Sequence, residues 1–180
     1  AVCETGAIYF NTYDGQIRCY SIDREKGFRE LWTYSPSVES DRGCFYYSPP
    51  TVCDRDGTAV IISGSYSGRG YCVDAATGEE IWVKKFINLE GGNPGSVSSI
   101  TPCSGSRALI TCNDGTMNSL GKGHLLLVDV NDGSIIWKSD IKCSKPVVVG
   151  ETFYTYLSPA FVGAEISDKN GKSEIAEEGY

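Results

Sequence analysis

A short motif repeated along the chain, strand-like runs between its copies, and a glycine-rich composition together predict an all-β fold for these 180 residues. The architecture they point to is a β-propeller of four-stranded antiparallel blades, about four of them. The motif is plainest in "CVDAATGEEIW" (72–82) and "LVDVNDGSIIW" (127–137), with a longer copy in "SIDREKGFRELW" (21–32) and a weaker one in "EISDKNGKSEIA" (165–176). Each of the first three has an aliphatic residue, an aspartate, three variable residues and a glycine, then a tryptophan. These are Asp23, Gly27 and Trp32; Asp74, Gly78 and Trp82; Asp129, Gly133 and Trp137. The fourth copy puts Ser167 in the aspartate place and Ile175 in the tryptophan place, around Gly171. The glycines are spaced by 51, 55 and 38 residues, which brackets the length of a propeller blade.

The elements follow in order within each unit. A short apolar segment ended by a polar turn comes first: "AVCETG", "TVCDRDG", "ITPCSGS" and "PVVVGE". Two runs rich in β-branched and aromatic residues come next: "AIYFNTY" and "IRCYSI", "AVIISGSY" and "GYCV", "ALITCN" and "HLLLV", "TFYTYL" and "FVGAEI". The Asp-x-x-x-Gly turn then leads into the tryptophan strand. An aspartate at that point accepts amide hydrogen bonds two or three residues on, and the glycine supplies the positive φ of a tight hairpin. The tryptophan is a large flat body for the neighbouring sheet, so the motif reads as a blade-packing device rather than as a cofactor platform. One domain, 1–180, results, with repeats at about 1–35, 49–86, 98–141 and 145–180.

Composition narrows the partners. A net charge of −7 disfavours nucleic acid and anionic lipid, which are bound through Lys and Arg. No apolar run approaches the roughly 18 to 20 residues of a membrane span. The eight cysteines admit two readings: a disulfide framework in an oxidising compartment, or small buried hydrophobes. Cys3, Cys53 and Cys103 recur every fifty residues before a polar turn, which suggests one packing position.

The strand, Asp-x-x-x-Gly and tryptophan pattern resembles the PQQ-like repeat of quinoprotein-type propellers, over about residues 1–176. "YCVDAATGEEIW" matches closely, "LLVDVNDGSIIW" nearly so, and "YSIDREKGFRELW" carries one extra residue before Trp32. The resemblance implies radially packed blades, usually seven or eight, and an extracytoplasmic location, periplasmic or secreted. Four repeats then mean a half, an excerpt or a small ring. An open half exposes blade faces and should associate. The resemblance also raises a quinone-dependent alcohol dehydrogenase, with PQQ and calcium as cofactors. Such a site uses adjacent cysteines, a tryptophan and calcium-binding carboxylates. No cysteines are adjacent here, and the tryptophans belong to the repeat.

Other chemistry is poorly supported. "DRDGTAVIISGS" lacks the glutamate of a calcium loop, ending in Ser65, and "GTMNSLGKGH" lacks the hydroxyl of a phosphate loop. His124 has no recognisable triad partners, and we expect no catalytic residues and no metal ligands. Recognition is left to the loops that do not repeat. In a propeller the second-to-third-strand hairpins and the blade connections share one face, and there we place Tyr13, Asp14, Tyr46, Tyr47, Tyr66, Arg69, Asn118, Lys122 and His124 as contact residues. The expected function is non-enzymatic binding of a protein or glycan partner, or of a second copy.

Overall fold

The computed structural model describes residues 6–42, 48–87, 95–113 and 123–157, with 160–165 as backbone. It is all-β, in four antiparallel sheets. The first contains β1 (Ala7–Asn11), β2 (Ile17–Asp23) and β3 (Gly27–Tyr34). The second contains β4 (Ser48–Arg55), β5 (Thr58–Gly64), β6 (Arg69–Asp74) and β7 (Glu80–Lys85). The third contains β8 (Ser96–Cys103), β9 (Arg107–Asn113), β10 (Gly123–Asp129) and β11 (Ile135–Ser139). The fourth contains β12 (Val147–Val149), β13 (Thr152–Leu157) and β14 (Ala160–Glu165). Strands neighbour one another in chain order within every sheet, as a meander requires. The expected inner strand of the first repeat and outer strand of the fourth lie outside the described residues. Among the described residues, no helix is long and apolar enough to cross a membrane.

The sheets pack face to face as blades, with β4 against β8 and β8 against β12 on the inner side. Each seam holds its own apolar cluster. Tyr9, Ile17 and Cys19 meet Ile61, Tyr71 and Val73 in the first seam. Val60, Ile62 and Cys72 meet Ile100, Ile110, Leu126 and Val128 in the second, and Leu109, Leu125 and Leu127 meet Phe153 in the third. The period-2 alternation of a strand is what makes this possible, because each middle blade must be apolar on both faces.

The motif turns form as their chemistry predicts. Asp23 Oδ1 accepts from the amides of Glu25 and Lys26 at 2.8 Å, and Asp74 Oδ1 from Ala76 and Thr77 at 2.8 Å. Asp129 Oδ1 accepts from Asn131 at 2.8 Å. Gly27, Gly78 and Gly133 have φ of 72, 76 and 73°. The structure then adds the tryptophan's partner, which is the same turn in the next blade. Trp32 Nε1 donates to Ala75 O at 3.1 Å, and Trp82 Nε1 to Val130 O at 2.8 Å. A Cβ on Gly78 would lie 2.7 Å from Trp32, and one on Gly133 would lie 2.9 Å from Trp82. The glycine therefore serves twice, in the turn and as the bare surface on which the preceding indole rests. Trp137 stacks on Phe153 with ring centroids 6.2 Å apart.

All three copies bulge at the residue before the tryptophan, so the extra residue before Trp32 is absorbed instead in the hairpin, where Asp23 pairs with Gly27. Trp82 and Trp137 pair with Cys72 and Leu127, two residues before the aspartate, whereas Trp32 pairs with Cys19, four before it. An even displacement keeps the side chain on the same face, so the indole still reaches the next blade.

The six described cysteines, Cys19, Cys53, Cys72, Cys103, Cys112 and Cys143, are free thiols, which corrects the disulfide expectation for these positions. Their physical role is packing. Burial pushes Cys72 and Cys112 up to about 12 and Cys103 to about 11, so they stay protonated and unreactive. Cys53 and Cys103 do share one position, each at the end of a first strand and paired across from the residue facing a motif aspartate. Cys3 lies outside the described residues.

Candidate functional site

The second-to-third-strand hairpins project from the same end of the blades as the blade connections. In the first hairpin the Gly15 amide donates to Thr12 O at 3.0 Å, which leaves Tyr13 at the tip, 86% exposed. The Thr12 hydroxyl holds the Asp14 carboxyl below its ordinary range, and Arg18 lies 3.7 Å away. In the second hairpin Ser65 and Arg69 close the turn by a 2.7 Å backbone bond, with half-buried Tyr66 between them. Tyr46, Tyr47, Asn118 and Lys122 lie outside the described residues.

Arg69 is held by a buried partner. The connection from blade 1 to blade 2 folds through a 3-10 turn, Glu39–Asp41, that inserts Asp41 with no exposed surface. Asp41 accepts from Tyr71 OH at 2.7 Å, Ser65 Oγ at 3.0 Å and Arg69 Nη1 at 3.0 Å. Arg69 also donates to Ser67 Oγ at 3.0 Å. Burial, followed by the Asp41 carboxylate, pushes the Tyr71 phenol above its ordinary value. Tyr34, whose ring centroid lies 6.2 Å from that of Tyr71, donates in turn to Glu80. This network pins the connection onto the next blade.

His124 opens β10. Its Nδ1 lies 2.7 Å from Asp140 Oδ1, a close approach without the alignment of a hydrogen bond. Burial first, and then the Lys138 ammonium, lower its pKa from 6.5, against the opposing pull of Asp140. The folded protein thus resists the proton that the unfolded chain accepts near pH 6.5. Stability supplied by this residue is complete above that pH and should fall as pH drops through it, ceasing to fall once the folded imidazole protonates. Urea midpoints measured from pH 8 to pH 5 should show this component, and His124→Gln should remove it.

Residue-by-residue reading of the sequence also missed a polar belt near the loop-face ends of the strands. Asn11 Nδ2 donates to Ser48 O at 2.6 Å and Ser63 Oγ at 3.0 Å. Ser96 Oγ donates to Asn113 Oδ1 at 2.9 Å, and the Ser99 and Thr111 hydroxyls lie 2.6 Å apart. Hydroxyls inside predicted strands, such as Ser63 in "AVIISGSY" and Thr111 in "ALITCN", are its one signal in the sequence.

Among the described residues, no group of three His, Cys, Asp or Glu side chains is placed to hold a metal ion. The three indoles are all occupied in blade seams. The described residues therefore do not fit a PQQ-calcium centre.

No family model and no curated protein sequence matches the chain. Solved structures do resemble it. U3-55K superposes with a TM-score of 0.67 at 14% identity, over 97% of this chain and 50% of that one. Quinohemoprotein alcohol dehydrogenase from Comamonas testosteroni superposes at 0.59 and 18% identity, over 94% and 33%. BamB from Moraxella catarrhalis superposes at 0.53 and 16% identity, over 96% and 58%. The chain therefore spans between a third and three fifths of the length of these structures. Antiparallel meander blades, seams closed by tryptophan and this structural likeness identify the fold as a β-propeller.

Proposed function

We propose that the chain is a non-enzymatic propeller module that works by association, with a protein or glycan partner or with a second copy. The observation that carries this reading is the apolar surface left open on blade 1, where Ile22 is 51% and Phe28 69% exposed. The matching residues of the next two blades, Val73 and Val128, are fully buried, and large apolar side chains in water mark association surfaces. The exposed Tyr13 hairpin offers a second contact region on the loop face. The loop-face charges of Asp41 and Arg69 hold the scaffold rather than awaiting a substrate. An extracytoplasmic location belongs to this reading through the repeat resemblance, without help from the six free thiols.

The quinoprotein alternative supplies the test. Incubation with pyrroloquinoline quinone and calcium, followed by dye-linked alcohol oxidation, should give no cofactor-dependent turnover. Saturable turnover that requires the quinone would overturn the reading.

A further inference from the structure

The loop-face hairpins of blades 1 and 2 match one another more closely than their sequences, "NTYDGQ" and "GSYSGR", suggest. In each, a hydroxyl residue opens the turn, a tyrosine follows, and a glycine closes it: Thr12, Tyr13 and Gly15 with φ of 81°, then Ser65, Tyr66 and Gly68 with φ of 84°. The Thr12 amide donates to Gln16 O at 2.8 Å and the Ser65 amide to Arg69 O at 2.7 Å. The glycine amides donate to Thr12 O at 3.0 Å and to Ser65 O at 3.2 Å. Each opening hydroxyl oxygen accepts from an amide across the turn, that of Gln16 at 3.1 Å or of Arg69 at 3.2 Å. The residue after the tyrosine ties back to the same hydroxyl, through the Asp14 carboxyl or through Ser67 Oγ. The hydroxyl and the glycine are thus what the turn needs, and it makes no demand for an aromatic ring. Both hairpins nevertheless carry one at the same place, Tyr13 86% exposed and Tyr66 half-buried.

We propose that Tyr13 and Tyr66 bind a neutral glycan chain, each ring stacking on one pyranose, an inference that rests on the reading of the chain as an association module. Two like elements held one blade apart suit a ligand built of like units, and a glycan is such a ligand. Tyrosine offers a flat apolar face with a polar tip, at the entropic cost of only two side-chain torsions. That face suits the C–H side of a sugar ring. The hydroxyl rim meets the residue beside each tyrosine, the ionised Asp14, whose side chain is 62% exposed, or the partly exposed Ser67. Both are held in place by the turn before any ligand arrives, so binding need not order the loops. Charge narrows the class, because a net charge of −7 and a carboxylate at the first tip disfavour an acidic glycan.

Isothermal titration of the whole chain with cellohexaose and with chitohexaose tests this, beside the single-ring sugars and the acidic hexagalacturonate. At least one neutral hexasaccharide should bind saturably and about tenfold or more tighter than its single ring, because the second hairpin is then engaged within one complex. Tyr13→Ala, at an exposed tip, should keep the far-ultraviolet circular dichroism of the parent and weaken that binding about tenfold. Tyr13→Phe keeps the stacking face and should restore most of the affinity, a rescue that general loop damage would not give. Tyr66→Ala should match the loss at Tyr13. No saturable binding of either neutral hexasaccharide would overturn the proposal, as would affinity indifferent to Tyr13→Ala or a preference for hexagalacturonate. Such a failure would leave association with a protein or a second copy standing. Quinone-dependent turnover would instead overturn the functional reading, whatever the glycan result.

Discussion

Trp82→Ala should destabilise the domain by about 3 to 5 kcal/mol in urea unfolding, the range for removing a fully packed aromatic side chain. Trp82 is 7% exposed, lies on Gly133 and packs edge-on against Phe86 with centroids 6.2 Å apart. Its loss opens a void in the largest seam and leaves Val130 O without its donor. Trp32→Ala provides the internal control. Trp32 is only half buried and sits at the end of the arc, so its removal should cost about half as much. Equal losses would show that the indoles do not work through burial in the seams.

Asp41→Ala is the second large effect expected, about 3 kcal/mol or more, and it arises by a different route. The substitution removes the acceptor shared by three donors, of which the Tyr71 hydroxyl and Ser65 Oγ are buried, while Ser65 and Arg69 keep their contacts with Ser67 Oγ. Arg69 is 24% exposed and recovers part of its loss through water, which keeps the estimate below that of a fully buried ion pair. Asp41→Asn should cost less, since an amide oxygen still accepts. A double-mutant cycle with Arg69→Ala should return a coupling energy of about 1 kcal/mol or more, as contacting charged groups do. Additive losses would show that Arg69 and Asp41 are merely neighbours.

The two sites differ in how far the chain discloses them. The turn at Asp74–Gly78 is legible because its causes are local. An aspartate oxygen reaches amides two and three residues on, and only glycine adopts that φ without strain. The tryptophan is legible as a packing group from its recurrence. Asp41 gives no such signal: "SVESDRG" reads as a solvated acidic connection, and its partners Ser65, Arg69 and Tyr71 lie 24 to 30 residues away. Arg69 illustrates the same gap, exposed-looking in sequence yet anchored in the structure. His124 sits beside Asp140 because β10 and β11 are adjacent strands, a pairing that no motif encodes.

Strand boundaries, hairpin turns and the all-β class were thus written into the chain, since propensity, alternation and turn chemistry act over a few residues. Long-range packing settled the rest: which turn each indole covers, which charge is buried, and which blade face stays open. Ile22 and Val73 occupy the same place in the repeat, and one is half exposed while the other is sealed. Val73 is sealed by the blade 1 side chains packed against it, a long-range contact that no local signal in the repeat encodes.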